Sequence, residues 1–277
     1  MEKVSNIIPY FRKELNHLAH DREILSWAYL SIESLLGFNR SDCIIYEKEI
    51  VNRQMVNKFK HIVMNLKLKM PLQYILGETT FCNFKLKVNK HALIPRPETE
   101  ELVDWILEED FKSALDIGTG SGCIAIALAR YSNATVSAID FSIDALELAK
   151  ENALSHNVKV MFTKQDVFQL ASVERVDLIV SNPPYVLNSE KDKMDLNVLN
   201  YEPHSALFVP DEDPLIFYKH IINLSSKSLT SEGKLFFEIN EKYANRIVEI
   251  LDERGFVDIK LKKDINEKNR MIKAVWK

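Results

Sequence analysis

Hydrophobic positions change their period along the chain, and the changes mark its parts. Ile24, Leu25, Ala28, Tyr29, Ile32, Leu35 and Leu36 recur at helical spacing, with Asp21 placed as an N-cap and Gly37 as a stop. A second stripe, Ile50, Val51, Met55, Phe59, Ile62, Val63 and Leu66, ends near Met70-Pro71. Residues 1–75 therefore predict a small helical bundle, in which Met55, Met64 and Met70 are core positions and not a cofactor box. After the connection Pro71 to Gly77, the period shortens. Thr79-Thr80-Phe81 and Phe84 to Val88 flank a turn at Cys82-Asn83, which predicts a β-hairpin within residues 76–92.

From residue 93 to the end the pattern alternates between strands and helices. Pro97 opens a helix whose first turn carries Glu98, Glu100 and Glu101, expected to run to about Glu109. Ala114–Ile117, Thr135–Asp140, Lys159–Phe162 and Val176–Val180 read as strands separated by helices, so the sheet should be mostly parallel. A helix over Pro214–Leu229, a strand at Lys234–Ile239, a helix at Tyr243–Arg254 and strands near Val257–Leu261 and Met271–Trp276 complete a doubly wound α/β plan of seven strands. Between Tyr185 and Pro203 the chain is polar, a length of loop that is usually a functional lid or disordered.

Composition removes several classes of function. The 277 residues carry 36 basic and 40 acidic side chains, a net charge of −4, so no overall basicity points to nucleic acid. Cys43, Cys82 and Cys123 are odd in number and widely spaced, which suits reduced thiols in a cytoplasmic protein better than a disulfide framework or a structural metal. There is no apolar run of the roughly 18 residues that a membrane span needs, and no signal-peptide pattern at Met1. One local exception stands out. Between Ile50 and Lys69 lie Arg53, Lys58, Lys60, Lys67 and Lys69 with no acidic residue, either a solvated helix face or a docking surface.

The candidate chemistry lies at strand ends. Asn182-Pro183-Pro184-Tyr185 follows the Val176–Val180 run, and neither proline can continue a central strand. The chain must leave the sheet there with carbonyls that no local N–H answers. Two acceptors, from Asn182 and Pro183, and the flat ring of Tyr185 suit a planar –NH2 group. Gly118-Thr119-Gly120-Ser121-Gly122 follows the first strand of the alternating half, with Asp116 just before it. Asp140 comes 22 positions after Gly118 at the end of the next strand, where a carboxylate can accept both ribose hydroxyls. Cys123 stands where a dinucleotide motif has its third glycine, and the turn has no lysine for a phosphate. An amino-acid-like nucleoside fits better: Asp116 can help anchor an ammonium group, and the Asp166-Val167 pair can meet an adenine. S-adenosyl-L-methionine is the best single fit. In a doubly wound sheet the glycine turn and Asn182 fall side by side, where strand order reverses.

Five motifs in order, Pro71-x-Gln73-Tyr74-x-x-Gly77, Leu93-Ile94-Pro95-Arg96-Pro97-Glu98-Thr99-Glu100, Asp116 to Gly122, Asn182 to Tyr185 and Tyr201-Glu202-Pro203, resemble the HemK/PrmC release-factor glutamine methyltransferases over the whole chain. The resemblance implies a class I S-adenosylmethionine-dependent methyltransferase fold with a seven-stranded, mostly parallel sheet, a small N-terminal helical bundle for substrate docking and a connecting β-hairpin. It implies methyl transfer to the side-chain amide nitrogen (N5) of the Gln in the Gly-Gly-Gln motif of class 1 peptide chain release factors. The partner is then a protein, with no membrane and no direct nucleic-acid substrate. By resemblance Gly118, Thr119, Gly120, Ser121, Gly122, Asp140, Asp166, Val167 and Asn182 contact the cofactor, and Asn182, Pro183, Pro184 and Tyr185 hold the glutamine. Cys82-Asn83, Val209 to Asp213, Asn240 and Asp264 to Glu267 depart from the pattern by lacking its usual glycines. Rival classes are a methyltransferase acting on exocyclic amines of nucleic acid, a cofactor-sensing module and an NAD(P)-linked oxidoreductase.

Overall fold

The computed structural model describes residues 2–277. Five helices come first: α1 (Ile7–Leu15), α2 (Asp21–Leu36), α3 (Arg40–Ile45), α4 (Arg53–Lys67) and α5 (Leu72–Leu76). The hairpin β1 (Glu78–Phe81) and β2 (Phe84–Lys87) follows, then α6 (Pro97–Leu107). Strand and helix next alternate: β3 (Ser113–Ile117), α7 (Cys123–Tyr131), β4 (Thr135–Asp140), α8 (Ile143–Ser155), β5 (Val160–Lys164) and β6 (Val176–Ser181). The chain continues through β7 (Val186–Leu187), α9 (Leu196–Tyr201), β8 (Phe208–Val209), α10 (Ile216–Ser228), β9 (Leu229–Glu238), α11 (Ala244–Arg254), β10 (Phe256–Lys263) and β11 (Asn269–Trp276).

These elements form two compact units, Met1–Glu78 with Asp195–Tyr201, and Thr79–Met194 with Glu202–Lys277. The first is helical, with Ile7, Phe11, Leu15, Ala28, Ile32 and Phe59 fully buried in its core. Asp21 does not cap α2: it is the first helical residue, and its carboxylate takes both Nε and Nη2 of Arg12 at 2.7 and 2.9 Å. The cap at the start of α4 is Asn52, whose Oδ1 accepts from Met55 N at 2.9 Å. Ile50 therefore precedes the helix and is 76% exposed, outside the stripe that its spacing suggested. Of the basic run, Lys67 pairs with Glu14 at 2.6 Å, while Arg53, Lys58 and Lys60 are exposed. Asp195–Tyr201, part of the long polar stretch, belongs to this unit through Tyr201, whose hydroxyl donates to Leu68 O at 2.7 Å. The stretch as a whole is ordered into β7, a 3-10 helix at Asn188–Lys193 and α9, and is no open loop.

The second unit is built on a seven-stranded sheet in the order β10-β11-β9-β6-β3-β4-β5, antiparallel only where β11 pairs with β9 and β10. Side chains alternate between two cores. Ala114, Leu178 and Val180 pack on one face with α6 and α7, while Leu115, Ile117 and Ile179 pack on the other with α10 and α11. Order reverses between β3 and β6, so Ile117 and Ser181 are register partners at the carboxyl ends of those strands. Ser181 Oγ reinforces that pairing by donating to Ile117 O at 2.7 Å. The hairpin contributes Phe81, Phe84 and Leu86 to the first of these cores. Its turn holds Cys82 and Asn83 at φ of 44° and 62°, the left-handed values that two-residue hairpin loops demand, here met without glycine.

Candidate active site

The glycine turn begins where β3 ends. Gly118, Gly120 and Gly122 all take positive φ, so the turn folds tightly over the end of the strand. Gly118 N and Thr119 N donate to Ile139 O of the neighbouring β4 at 2.9 and 3.1 Å. Asp140, the last residue of β4, closes the arrangement: Oδ2 accepts from Gly120 N and Oδ1 from Ser142 N, each at 2.9 Å. Burial pushes the Asp140 carboxyl above the usual carboxylate range. Below the turn, Asn152 of α8 donates to Ser121 O and Lys87 O and accepts from Lys87 N, which ties the hairpin to the loop. The floor is thus held by main-chain bonds to Ile139 and by the side chains of Asp140 and Asn152.

A cavity of about 520 Å³ opens above this turn. Gly118, Thr119, Gly120, Ser121 and Asp140 line it from the first two strands, and Asp166 and Val167 from the segment after β5. Asp166 caps a short 3-10 turn, its Oδ1 accepting from Phe168 N at 3.0 Å. Asn182, Pro183 and Pro184 line the same cavity from the end of β6. Three predicted site residues are absent from its wall: Asp116, Gly122 and Tyr185. The sequence places Tyr185 as a stacking platform, but its hydroxyl donates to Glu238 Oε1 at 3.2 Å and its ring packs with the core between the sheet and α10–α11. Gly122 instead faces α8, where an added Cβ would lie 3.1 Å from Ala149 Cβ.

Asp116 is wholly buried beneath the turn. Its Oδ2 accepts from Thr119 Oγ1 at 2.6 Å, and its Oδ1 has no hydrogen-bond partner. Burial pushes this carboxyl up to about 7, with the neighbouring Asp140 adding to the effect and Thr119 opposing it. An acid whose folded pKa exceeds its unfolded value of about 3.9 retains a proton that the unfolded chain has lost, so its burial costs more stability as pH rises between the two values. Without added cofactor, Asp116→Asn should therefore melt above the wild type by a margin that widens by about 3–5 °C between about pH 5 and pH 8. Calorimetric melting at the two pH values checks this; a margin independent of pH would refute it.

Several further residues at the site, some within motifs quoted above, have no partner or role that the sequence could assign. Arg96 Nη2 meets Glu202 Oε1 at 2.6 Å, and Glu202 Oε2 accepts from Ile94 N at 3.2 Å. This ion pair joins the Pro95-Arg96-Pro97 corner to the Glu202-Pro203 segment, and both flank the cavity. Phe168 and Phe217, with centroids 4.8 Å apart, supply apolar wall. Cys123, at the position that weakened a dinucleotide reading, starts α7 and lines the cavity, its thiol pushed up by burial and by Asp116. Thr99 and the buried Glu238 also meet here across 139 residues of sequence.

Fold and site together define a class I S-adenosylmethionine-dependent methyltransferase. The Methyltransferase small domain family model matches residues 97–201, and the PrmC N-terminal domain model matches residues 7–77. Relatives span the full chain. The release factor glutamine methyltransferase of Flavobacterium psychrophilum is 42% identical over 280 residues, covering 98% of each chain. That of Bacteroides thetaiotaomicron is 40% identical over 98% of this chain and 99% of its own. The chain belongs to the release factor glutamine methyltransferase family. Among solved structures, a Pyrococcus furiosus methyltransferase shares the fold at TM-score 0.55 and 17% identity, covering 79% of this chain and 98% of that one. The hMettl16 catalytic domain does so at TM-score 0.53 and 16% identity, covering 83% and 84%.

The side chains present fit S-adenosylmethionine. Asp140 ends its strand at the cavity with lone pairs to spare for a ribose diol, and Asp166 and Val167 line the same cavity, where they could meet an adenine. The Asp116 Oδ1 beneath the turn is buried without a hydrogen-bond partner, an orphaned acceptor that a donor group of the cofactor could answer. Among the described residues, no group of three or more His, Cys, Asp or Glu side chains is placed to hold a metal ion.

Proposed function

We propose that the chain transfers the methyl group of S-adenosylmethionine to the side-chain amide nitrogen (N5) of the Gln in the Gly-Gly-Gln motif of class 1 peptide chain release factors, and so modulates translation termination. The observation that carries this reading is the convergence of Asn182-Pro183-Pro184 with the glycine turn and Asp140 on one cavity. The names of the full-length relatives support the substrate.

When bound, S-adenosylmethionine supplies an electrophilic methyl on a sulfonium, whose departing electron pair stays on sulfur. The chain's own task is to aim a poor nucleophile. An amide nitrogen is nearly non-basic because its lone pair is delocalised, so deprotonating it beforehand is prohibitive. Asn182 Oδ1 and the Pro183 carbonyl instead accept the two amide hydrogens and fix the plane of the glutamine. Orientation of this kind lowers a barrier by several kcal/mol through effective molarity. The same two acceptors stabilise the positive charge that develops on the nitrogen, whose proton is shed to water afterwards. Gly118 to Gly122, Asp140, Asp166 and Val167 hold the methyl donor in the shared cavity, with Asp116 acting from below.

In this reading the helical residues 1–75 dock the protein substrate, residues 76–92 form the connecting hairpin and residues 93–277 the methyltransferase domain. Exposed Arg53, Lys58 and Lys60 on α4 support a docking role. No helix is long and apolar enough to cross a membrane among the described residues. We place the reaction in the cytoplasm, where Cys43, Cys82 and Cys123 would stay reduced.

The test is methyl transfer from labelled S-adenosylmethionine to a purified class 1 release factor, beside a variant whose Gly-Gly-Gln glutamine is alanine, with DNA and ribosomal RNA in parallel. Label on the wild-type factor alone is expected. Label on nucleic acid and on neither factor would overturn the reading in favour of an exocyclic-amine methyltransferase.

A further inference from the structure

Both ends of the Asn182–Tyr185 tetrapeptide lead to one buried carboxylate. Glu238, at the end of β9, is 1% exposed. Its Oε1 accepts from the Tyr185 hydroxyl at 3.2 Å, and its Oε2 accepts from Thr99 Oγ1 at 2.6 Å. Thr99, itself 2% exposed in the first turn of α6, in turn receives Asn182 Nδ2 at 3.3 Å. Tyr218 secures the same residue from α10, its hydroxyl donating to Glu238 O at 3.1 Å.

The direction of this chain of bonds has a chemical consequence. A carboxylate only accepts, and a threonine hydroxyl has a single hydrogen. Once that hydrogen is committed to Glu238, Thr99 can offer Asn182 nothing but a lone pair. Only the NH2 end of the Asn182 amide can use a lone pair. The two ends of an amide have nearly the same shape, so packing distinguishes them poorly and the hydrogen-bond network decides. With Nδ2 held by Thr99, Oδ1 is the end left for the cavity.

We infer that Thr99 and Glu238 are positioning residues for the transfer: the buried Glu238 carboxylate, acting through the Thr99 hydroxyl, turns the Asn182 amide so that its carbonyl faces the acceptor nitrogen. Without this constraint the amide also populates the flipped orientation, which presents two donors to a substrate –NH2 that itself only donates. Neither residue touches the reacting atoms. Their effect runs through Asn182, and the inference rests on the role proposed for Asn182 above.

The experiment measures kcat and KM for the release factor at saturating S-adenosylmethionine, and the cofactor Kd by calorimetry, for Thr99→Val, Thr99→Ser, Asn182→Ala and the Asn182→Ala/Thr99→Val double variant. Thr99→Val should lower kcat by about tenfold to a hundredfold, the scale on which misorientation is felt, with KM and cofactor Kd within about twofold. Thr99→Ser should recover kcat to within about threefold of wild type, since it restores the hydroxyl. In the Asn182→Ala background, Thr99→Val should change kcat by less than about twofold, because residues that act through one another are non-additive. Thr99→Ala, which leaves only a small void, takes the place of valine if that variant does not fold. An undiminished Thr99 penalty in the Asn182→Ala background would make its role merely structural and overturn the inference while leaving Asn182 in place. Wild-type turnover by Asn182→Ala would overturn both the inference and the role of Asn182 on which it rests.

Discussion

Asn182→Ala is expected to lower turnover by about a hundredfold or more while changing cofactor affinity by no more than about threefold, the pattern of a lost interaction that matters most at the transition state. The asymmetry follows from position. Asn182 lines the cavity at the end of β6, whereas the groups that tie down the glycine turn, Asp140 and Ile139 O, belong to β4. Removing the Asn182 amide leaves that turn intact and deprives the glutamine of one of its two acceptors. Pro183 still supplies its backbone carbonyl, which is why some activity should survive. Single-turnover rates with preformed enzyme–cofactor complex would measure the loss directly, and isothermal calorimetry the affinity. Parallel losses in rate and cofactor binding would mean that Asn182 serves the methyl donor and not the acceptor.

The second large effect is on folding. Gly122→Ala should lower the first unfolding transition by about 10 °C, corresponding to roughly 3–4 kcal/mol. Two costs add. The residue sits at φ +84°, which an L side chain adopts only with strain, and its Cβ would lie 3.0 Å from Ile126 Cδ1, 3.1 Å from Ala149 Cβ and 3.3 Å from Ala149 Cα. The Ala149 contacts are with a residue held inside α8, so they cannot be relieved by rotating a flexible side chain. Gly118→Ala isolates the first cost. It has a similar φ of +76° with nothing within 4 Å, and should lose only about 1–2 kcal/mol. Equal melting temperatures for the two variants would show that backbone strain alone governs both positions.

What could be read from the sequence was what is local. Ala114–Ile117, the glycine turn and Asp140 form one strand–turn–helix–strand unit whose spacing predicts a ribose-binding carboxylate, and the structure brings Ile117, Gly118 to Ser121 and Asp140 together on one cavity wall. The side-by-side placement of that turn and Asn182 also followed, because the strand-order reversal is a rule of the fold. Short helices escaped notice. α3 and α9 span six residues each, too few turns for an apolar period to emerge. The Asn188–Lys193 turn and α9 bury no residue, so nothing distinguished them from loop. Tyr185 lies off the cavity wall for a different reason. Its motif suggests an aromatic face, but the destination of its hydroxyl is set by Glu238, 53 residues away, and no local pattern encodes that. The same holds for Arg96 with Glu202 and for Thr99 with Glu238, whose partners lie 106 and 139 positions off.

The helical unit is discontinuous: Asp195–Tyr201 belongs to it although both flanking segments belong to the other unit. A boundary drawn after Gly77 would divide the chain at a natural seam yet strand Tyr201, whose hydroxyl bonds Leu68 O. The front end is therefore not a detachable cassette. Exchange of this unit between homologous proteins, by recombination or by design, has to carry residues 195–201 along with it.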